Sequence, residues 1–236
     1  MIDTTKNITY ENIVNHEIFE KYKEYCTRGK GLDKLLRENG TGRFCGNDPT
    51  QVLLVIKELL GVKCKKVLEI GVLHGGSMIL LQNSDYKSDF VGLDCFTYYG
   101  LNKDPHSNVI VSKENAEKNI KKFNKKGHTF TLIECNSQSK EIEKKLIEEY
   151  NNFDLIFIDG DHSFEGCQKD FTLAVKLSHP GTIIVFDNFS CLGSIVKKND
   201  LNVKKAVMEH PSLNLFRQVG KFGKKGKEDL FVIEKI

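Results

Sequence analysis

The stretch KKVLEIGVLHGGS, residues 65–77, decides the fold of this chain. Its first half is a short apolar run that closes on Gly71, as is typical of a strand buried on both faces of a parallel sheet. Its second half passes Gly75 and opens the helical segment GGSMILLQ. A tight glycine turn between a buried strand and a helix predicts the first unit of an open α/β sheet.

The same alternation of strands and helices continues downstream of this stretch. Further strands are predicted at 90–94, 129–135, 153–159, 181–187, 213–220 and 227–236. Helices are predicted at 113–126, 139–150, 164–178 and 200–209. We therefore predict a Rossmann-like α/β fold: a doubly wound seven-stranded sheet, mostly parallel, with a C-terminal antiparallel hairpin.

Upstream of the stretch the pattern is helical. Apolar side chains recur at helical spacing through residues 10–26, which predicts one helix there and a candidate surface for self-association into a homo-oligomer. Asp48 and Pro49 predict the start of a second helix, which ends at Gly61. We divide the chain into an N-terminal helical extension or cap, residues 1–47, and an α/β domain, residues 48–236.

The bulk composition excludes several classes of protein. No stretch approaches the roughly 20 apolar residues needed to span a bilayer, and the N-terminus lacks the apolar segment of a signal peptide. We therefore expect no membrane contact and a cytoplasmic location. The seven cysteines include no Cys-x-x-Cys pair, which argues against a disulfide framework and a zinc site. A net charge of +3 on scattered lysines predicts no nucleic-acid partner.

Polar residues at predicted strand ends suggest a nucleoside cofactor, because open parallel sheets bind ligands at those ends. Glu69 could face an ammonium group, and Ser77 lies in a first helical turn, which favours a carboxylate. Asp94 ends the second strand about 20 residues after the glycine turn, a position suited to ribose hydroxyls. Ser137 and Gln138 follow the third strand and could hydrogen-bond an adenine edge. The alternatives are a surface acid at Asp94 and an ordinary helix cap at Ser137 and Gln138.

A second cluster is predicted where the fourth and fifth strands end. Asp159, Asp187 and Asn188 offer three hard oxygen ligands, which suits Mg²⁺. His162 is the candidate general base, because histidine readily accepts a proton near neutral pH. Asp161 is either an alternative base or the hydrogen-bonding partner of His162. The alternatives are carboxylates that hold loops or cap turns without a metal, and a structural histidine.

These motifs resemble those of the class I S-adenosylmethionine-dependent methyltransferases. The loop Glu-x-Gly-x-x-x-Gly-x-Ser, residues 69–77, resembles that of the catechol O-methyltransferase type. The segments IDGDHSFEGCQKD, 158–170, and PGTIIVFDN, 180–188, look most like the metal-dependent macrocin-type sugar O-methyltransferases. The resemblance covers about residues 48–236. The Gly-x-Gly-x-x-Gly of dinucleotide binders and the P-loop lysine do not occur here, which disfavours a nicotinamide-dependent oxidoreductase.

The resemblance implies a role for each candidate residue. The methionine part of S-adenosylmethionine would contact Glu69, Gly71, Leu73 and Ser77, with Gly75 allowing close backbone approach. Asp94 would bind the ribose, and Ser137 and Gln138 the adenine. The implied metal site is Asp159, Asp187 and Asn188, and the implied base is His162.

The resulting expectation is a Mg²⁺-dependent O-methyltransferase acting on a sugar, a glycoside or another small hydroxyl compound. A catechol-like phenol is less favoured, because His162 replaces the lysine usual in that branch. The alternatives are a metal-free methyltransferase and a non-catalytic S-adenosylmethionine-binding protein. We expect acceptor specificity to come from residues 1–47, 96–112 and 189–199.

Overall fold

The computed structural model describes residues 8–44, 50–98, 100–190, 202–224 and 227–236. The α-helices are α1 Tyr10–Val14, α2 Glu17–Lys21, α3 Lys23–Cys26, α4 Gly31–Glu38, α5 Gln51–Leu60, α6 Gly76–Leu81, α7 Lys113–Phe123, α8 Lys140–Glu149, α9 Phe164–Leu177 and α10 Val203–Met208. The strands are β1 Lys66–Ile70, β2 Asp89–Asp94, β3 Lys103–Asp104, β4 Val109–Ile110, β5 Thr129–Glu134, β6 Phe153–Ile158, β7 Ser178–Phe186, β8 Phe216–Lys224 and β9 Lys227–Lys235.

Seven strands form one sheet in the order β5-β2-β1-β6-β7-β9-β8. The first five are parallel to one another, whereas β9 is antiparallel to both β7 and β8. This arrangement confirms the predicted mostly parallel sheet with its C-terminal hairpin. The chain builds the sheet outward from β1 in one direction and then returns to place β6 on its other side. The switch point therefore lies between β1 and β6, where such sheets bind ligands.

Both faces of the sheet are covered by helices. Val67 of β1 joins one core with side chains of α5, α6 and α7. Leu68 and Ile70 of the same strand join a second core with side chains of α8, α9 and α10. Successive side chains of a strand point to opposite faces, so a strand buried on both sides must be apolar throughout. The one exception among the four buried residues of β1 is Glu69, which is acidic.

The prediction of a single helix over residues 10–26 is wrong, because the segment forms three short helices instead. The first helix is interrupted before His16, which caps the start of α2. The His16 backbone is extended, and its Nδ1 accepts a hydrogen bond from the Ile18 N–H at 3.3 Å. Such a side-chain cap competes with continuation of the preceding helix. Ile13 and Cys26 are nevertheless buried in the same core as α5. The predicted cap at Asp48 and Pro49 lies outside the described residues.

Other boundaries differ slightly from the predictions. Strand β7 begins at Ser178, three residues before the predicted start, and residues 96–112 contain the small antiparallel ribbon β3–β4. In the part of the chain that the structure describes, no helix is long and apolar enough to cross a membrane. Of the five described cysteines, Cys26, Cys64 and Cys167 are buried, and no disulfide joins any two of the five.

Candidate active site

A cleft opens beside the switch point, at the carboxyl ends of β1, β6 and β7. Its volume is about 420 Å³, counted with its open mouth. One wall is the turn between β1 and α6, from Gly71 to Ser77. Asp159 and Asp187, which follow β6 and β7, form another part of the lining, and Arg43 enters from the N-terminal segment. The cleft is thus lined by Gly71, Leu73 and Ser77 of the predicted cofactor residues and by Asp159 and Asp187 of the predicted metal site.

The glycines of the turn allow close packing. Gly71 has φ of 95°, and a Cβ there would lie 2.1 Å from the carbonyl oxygen of Asp159. Gly75 has φ of 83°, and a Cβ there would lie 2.7 Å from Cγ1 of Ile120 on α7. Between them Leu73 has φ of 50°, a conformation that is strained for a residue with a side chain. The sequence therefore allows the turn to pass directly against the end of β6.

Glu69 carries a buried carboxylate beside this turn. Its Oε1 accepts a hydrogen bond from Ser77 Oγ, and its Oε2 has no hydrogen-bond partner among the described residues. Burial raises the pKa of Glu69 well above its ordinary value, although the Ser77 hydrogen bond acts in the opposite sense. A buried acceptor without a partner is costly. Glu69 therefore fits a ligand that brings a positive charge into the cleft.

Asp94 fastens the turn from the end of β2. Its Oδ2 accepts hydrogen bonds from the backbone N–H groups of Val72 and Leu73, both at 2.7 Å, and its Oδ1 accepts one from Phe96 N–H at 2.5 Å. Burial nevertheless raises the pKa of this carboxyl. The predicted contact with ribose remains a prediction, and Oδ1, which accepts one hydrogen bond, has a second lone pair for it. These hydrogen bonds to Asp94 were not predicted, because a sequence does not show which backbone amides of a loop face a given carboxylate.

Ser137 and Gln138 form hydrogen bonds to two acids, one within α9 and one just before it. Ser137 Oγ donates to Asp170 Oδ1 at 2.7 Å, and Gln138 Nε2 donates to Asp161 Oδ2 at 3.1 Å. Burial raises the pKa of Asp170 to about 6. Their predicted contact with adenine remains a prediction. The supporting role of Asp170 was missed, because an acid inside an amphipathic helix gives no distinctive signal.

Asp159, His162 and Asp187 come together beside the cleft, which Asp159 and Asp187 line. A potential ligand atom of each lies within 4.8 Å of the others, and His162 Nε2 is 3.2 Å from Asp159 Oδ1. Burial raises the pKa of Asp187 well above its ordinary value, and the adjacent Asp159 raises it further. Two crowded carboxylates and an imidazole are a donor set that fits a divalent cation.

Asn188 and Asp161, which adjoin members of this trio in the sequence, also form hydrogen bonds. Asn188 Nδ2 donates to Asp187 Oδ2 at 2.6 Å, and Asn188 has φ of 53°. Asp161 Oδ1 accepts from the backbone N–H of Ser163 at 2.9 Å, at the start of α9. Burial tends to raise the pKa of Asp161, but hydrogen bonds from Ser163 and Gln138 lower it overall. The hydrogen bond of His162 goes to Asp159, so the structure favours Asp159 over Asp161 as the partner of this histidine.

The lining residues that were not predicted include Arg43 and Phe44. Both belong to the segment between α4 and α5, which has no periodic pattern from which to place it. The one feature of the sequence that agrees with this packing is the glycine at position 76, because a Cβ there would lie 2.4 Å from Cδ2 of Phe44.

Comparison with known protein families gives one match over half of the chain. Residues 68–189 match a family model described as "Methyltransferase domain". This is 122 of the 236 residues, and the segment runs from β1 to just beyond Asn188. It therefore includes Glu69, the glycine turn and the trio Asp159, His162 and Asp187.

Individual relatives agree with this match. The uncharacterized protein R132 of Acanthamoeba polyphaga mimivirus is 32% identical over 122 residues, which is 52% of this chain and 50% of that protein. The catechol O-methyltransferase of Niastella koreensis is 29% identical over 79% of this chain and 80% of its own. Among solved structures, the O-methyltransferase from Bacillus cereus in complex with SAH has a TM-score of 0.57 at 21% identity, covering 87% of this chain and 90% of that one.

Proposed function

Because the chain belongs to the methyltransferase-domain family, we propose that its cleft binds S-adenosylmethionine and directs the methyl group to a hydroxyl oxygen of a small acceptor. The family membership confirms the resemblance to class I S-adenosylmethionine-dependent methyltransferases and the prediction of an enzyme. The observation that carries the proposal is the unpaired, buried oxygen of Glu69, whose carboxylate lies behind Ser77 in the wall of a cleft that is also lined by Asp159 and Asp187.

The cofactor, when bound, supplies an activated methyl group on a positively charged sulfur. In this proposal Glu69 accepts hydrogen bonds from the ammonium of the methionine part, and Ser77 keeps the Glu69 carboxylate in position. The backbone of Gly71, Leu73 and Gly75 lies against the same part of the molecule. Asp94 fixes the turn and faces the ribose, while Ser137 and Gln138 face the adenine. Positioning two reactants in this way can contribute on the order of 7–11 kcal/mol to catalysis.

At the acceptor end, His162 takes the proton from the attacking hydroxyl. Asp159 orients the imidazole through its hydrogen bond and stabilises the charged form. Mg²⁺, held by Asp159 and Asp187 with Asn188 alongside, would supply positive charge that makes an acceptor hydroxyl more acidic. The crowding of two carboxylates supports such a cation, because burial and the neighbouring Asp159 raise the pKa of Asp187.

We further propose a sugar or glycoside as the acceptor. The segments that would select it are residues 1–47, 96–112 and 189–199, of which 1–7, 45–47, 99 and 191–199 lie outside the described residues. A metal-free methyltransferase is a second candidate. It is favoured by the hydrogen bonds from His162 to Asp159 and from Asn188 to Asp187, because these partly satisfy both carboxylates without a cation.

The experiment is transfer of a labelled methyl group from S-adenosylmethionine to a panel of glycosides, nucleotide sugars and phenols. We expect transfer to a hydroxyl compound that stops after chelation with EDTA and returns with Mg²⁺. Unchanged transfer after thorough chelation would establish the metal-free candidate. Transfer to nitrogen, shown by NMR of the product, would contradict the proposed chemistry, and cofactor binding without transfer to any acceptor would favour a non-catalytic binding protein.

A further inference from the structure

Residues 41–44, which we call the strap, lie directly on the turn that follows β1. A Cβ on Gly42 would lie 2.4 Å from Cγ of His74, so the strap backbone touches that side chain. Asn119 on α7 joins the two segments, because its Nδ2 donates to the carbonyl oxygens of both Thr41 at 2.9 Å and His74 at 3.0 Å. With the contact of Phe44 at Gly76, the strap meets the turn on both sides of Arg43.

The side chain of Arg43 is held firmly within this packing. It is 10% exposed, and its Nε donates to Asp104 Oδ2 at 2.5 Å. Asp104 is fully buried and also accepts hydrogen bonds from His106 N–H at 3.0 Å and from Ser107 Oγ at 2.8 Å. The guanidinium carbon lies 5.5 Å from the centre of the Tyr98 ring. Arg43 is thus a fixed side chain of the cleft wall.

Positive and negative charges lie at different points around the cleft. Among the described residues that line it, Arg43 is the only lysine or arginine. Its other charged lining residues are Asp159 and Asp187, and the Glu69 carboxylate lies behind Ser77. His74 also lines the cleft, but burial lowers its pKa, which favours the neutral imidazole. A ligand with an ammonium at one point and a carboxylate at another matches this pattern.

We propose that Arg43 binds the carboxylate of the methionine part of S-adenosylmethionine, and that Glu69 binds its ammonium. This assignment rests on the proposed function. Arginine suits the task, because its planar guanidinium has five N–H donors and can bind a carboxylate with two parallel hydrogen bonds. Asp104 acts as a positioning residue: it holds the Nε edge and so fixes the direction of the guanidinium.

The test compares two ligands that differ only in the carboxylate, S-adenosylmethionine and decarboxylated S-adenosylmethionine, by calorimetric titration. The wild-type protein should bind the complete cofactor about 10- to 100-fold more tightly, the range expected for charge-assisted hydrogen bonds. Arg43→Gln should lose this preference and bind the decarboxylated ligand as the wild type does. Arg43→Lys should keep part of the preference. Lys103→Gln, which removes an exposed positive charge next to Asp104, is the matched control and should change neither affinity.

Each other outcome overturns the assignment. Equal weakening of both ligands in Arg43→Gln would show a purely structural role, and a wild-type protein without preference for the carboxylate would show that no residue recognises it. Unchanged binding in Arg43→Gln would overturn the Arg43 assignment while leaving the proposed function intact. Failure of the wild type to bind either ligand would overturn both. If Arg43→Gln does not fold, as judged by circular dichroism, the ratio of affinities in Arg43→Lys decides.

Discussion

The Nε2 atom of His162 lies 3.2 Å from the Oδ1 atom of Asp159, at the end of β6 and beside Asp187. A carboxylate in this position fixes the orientation of an imidazole and stabilises its protonated form. The pair therefore combines a proton acceptor with a negative group that also fits a cation. Asp159 lines the cleft, and in the proposed reaction an acceptor hydroxyl would meet the methyl group beside this pair.

Replacing His162 by alanine should remove the proton acceptor. We expect kcat to fall by about 10²- to 10⁴-fold, the usual contribution of general acid–base catalysis, while the affinity for SAH changes little. Steady-state kinetics and calorimetry measure the two effects separately. His179→Ala is the control, because His179 Nε2 also lies 3.0 Å from an aspartate, Asp154, but near the opposite end of β6. A His162→Ala enzyme with the full rate would exclude this residue as the base.

Metal binding should be visible as thermal stabilisation. At about 100 times Kd, Mg²⁺ should stabilise the wild type by about 2.7 kcal/mol, which raises Tm by roughly 5–10 °C for a chain of this size. Asp187→Asn should abolish this shift and raise Tm without metal, because it removes an acid whose ionisation burial and Asp159 oppose. Scanning calorimetry with and without Mg²⁺ checks both, with Glu165→Gln as an exposed control on α9. A wild-type Tm that does not respond to divalent cations would contradict the metal site.

Glu69→Gln should weaken cofactor binding and stabilise the ligand-free protein. A neutral amide cannot balance an ammonium, so we expect about 10- to 100-fold weaker binding of SAH. The pKa of Glu69 is raised in the folded state, so the native protein holds this proton more tightly than the unfolded chain. Its contribution to stability is therefore present below the ordinary pKa of glutamate and is lost as the pH rises.

The measurement for Glu69 is thermal unfolding of ligand-free wild type and Glu69→Gln from about pH 4.5, close to the ordinary glutamate pKa of about 4.3, up to about pH 8. The variant should have the higher Tm at the alkaline end, and the difference should shrink toward the acidic end. Glu134→Gln, an exposed acid at the end of β5, should follow the wild type. A Glu69→Gln protein that is less stable than wild type throughout would show that the ionised carboxylate is well satisfied.

Alanine substitutions at two glycines allow the effect of backbone strain to be measured apart from the effect of steric crowding. Gly71 and Gly181 have φ of 95° and 92°, but a Cβ meets the Asp159 carbonyl only at Gly71, and finds nothing within 4 Å at Gly181. Gly181→Ala should therefore cost about 1–2 kcal/mol of stability and leave activity unchanged. Gly71→Ala should move the turn against β6 and lower kcat/KM by about 100-fold, because misplacement of about 1 Å can cost that much. Equal effects in denaturant unfolding and kinetics would refute the crowding at Gly71.

The sheet could be predicted because its strands are short apolar runs that alternate with amphipathic helices. The turn at Gly71 gave the position of β1, and burial on both faces made each central strand recognisable. The N-terminal helices were harder, because a cap such as His16 breaks a helix without altering the apolar spacing around it. Residues 103–110 form a ribbon of two-residue strands, which are too short to show any alternation.

For the site, strand ends were a reliable guide to which residues come together. Asp159 and Asp187 meet because neighbouring parallel strands end at one edge of the sheet. What could not be predicted are contacts that depend on loop geometry and on distant segments. Asp94 accepts hydrogen bonds from backbone amides of the turn. Arg43, which lines the cleft, pairs with Asp104, which lies 61 positions away in the sequence. Neither contact follows from spacing or composition.

The most direct test of the central claim is a calorimetric titration of the wild-type protein with SAH, with NAD as the control ligand. The account predicts saturable binding of one SAH per chain and no binding of NAD, since the cleft offers a buried carboxylate for an ammonium and no dinucleotide loop. Binding of NAD in preference to SAH, or no heat from SAH at all, would contradict it.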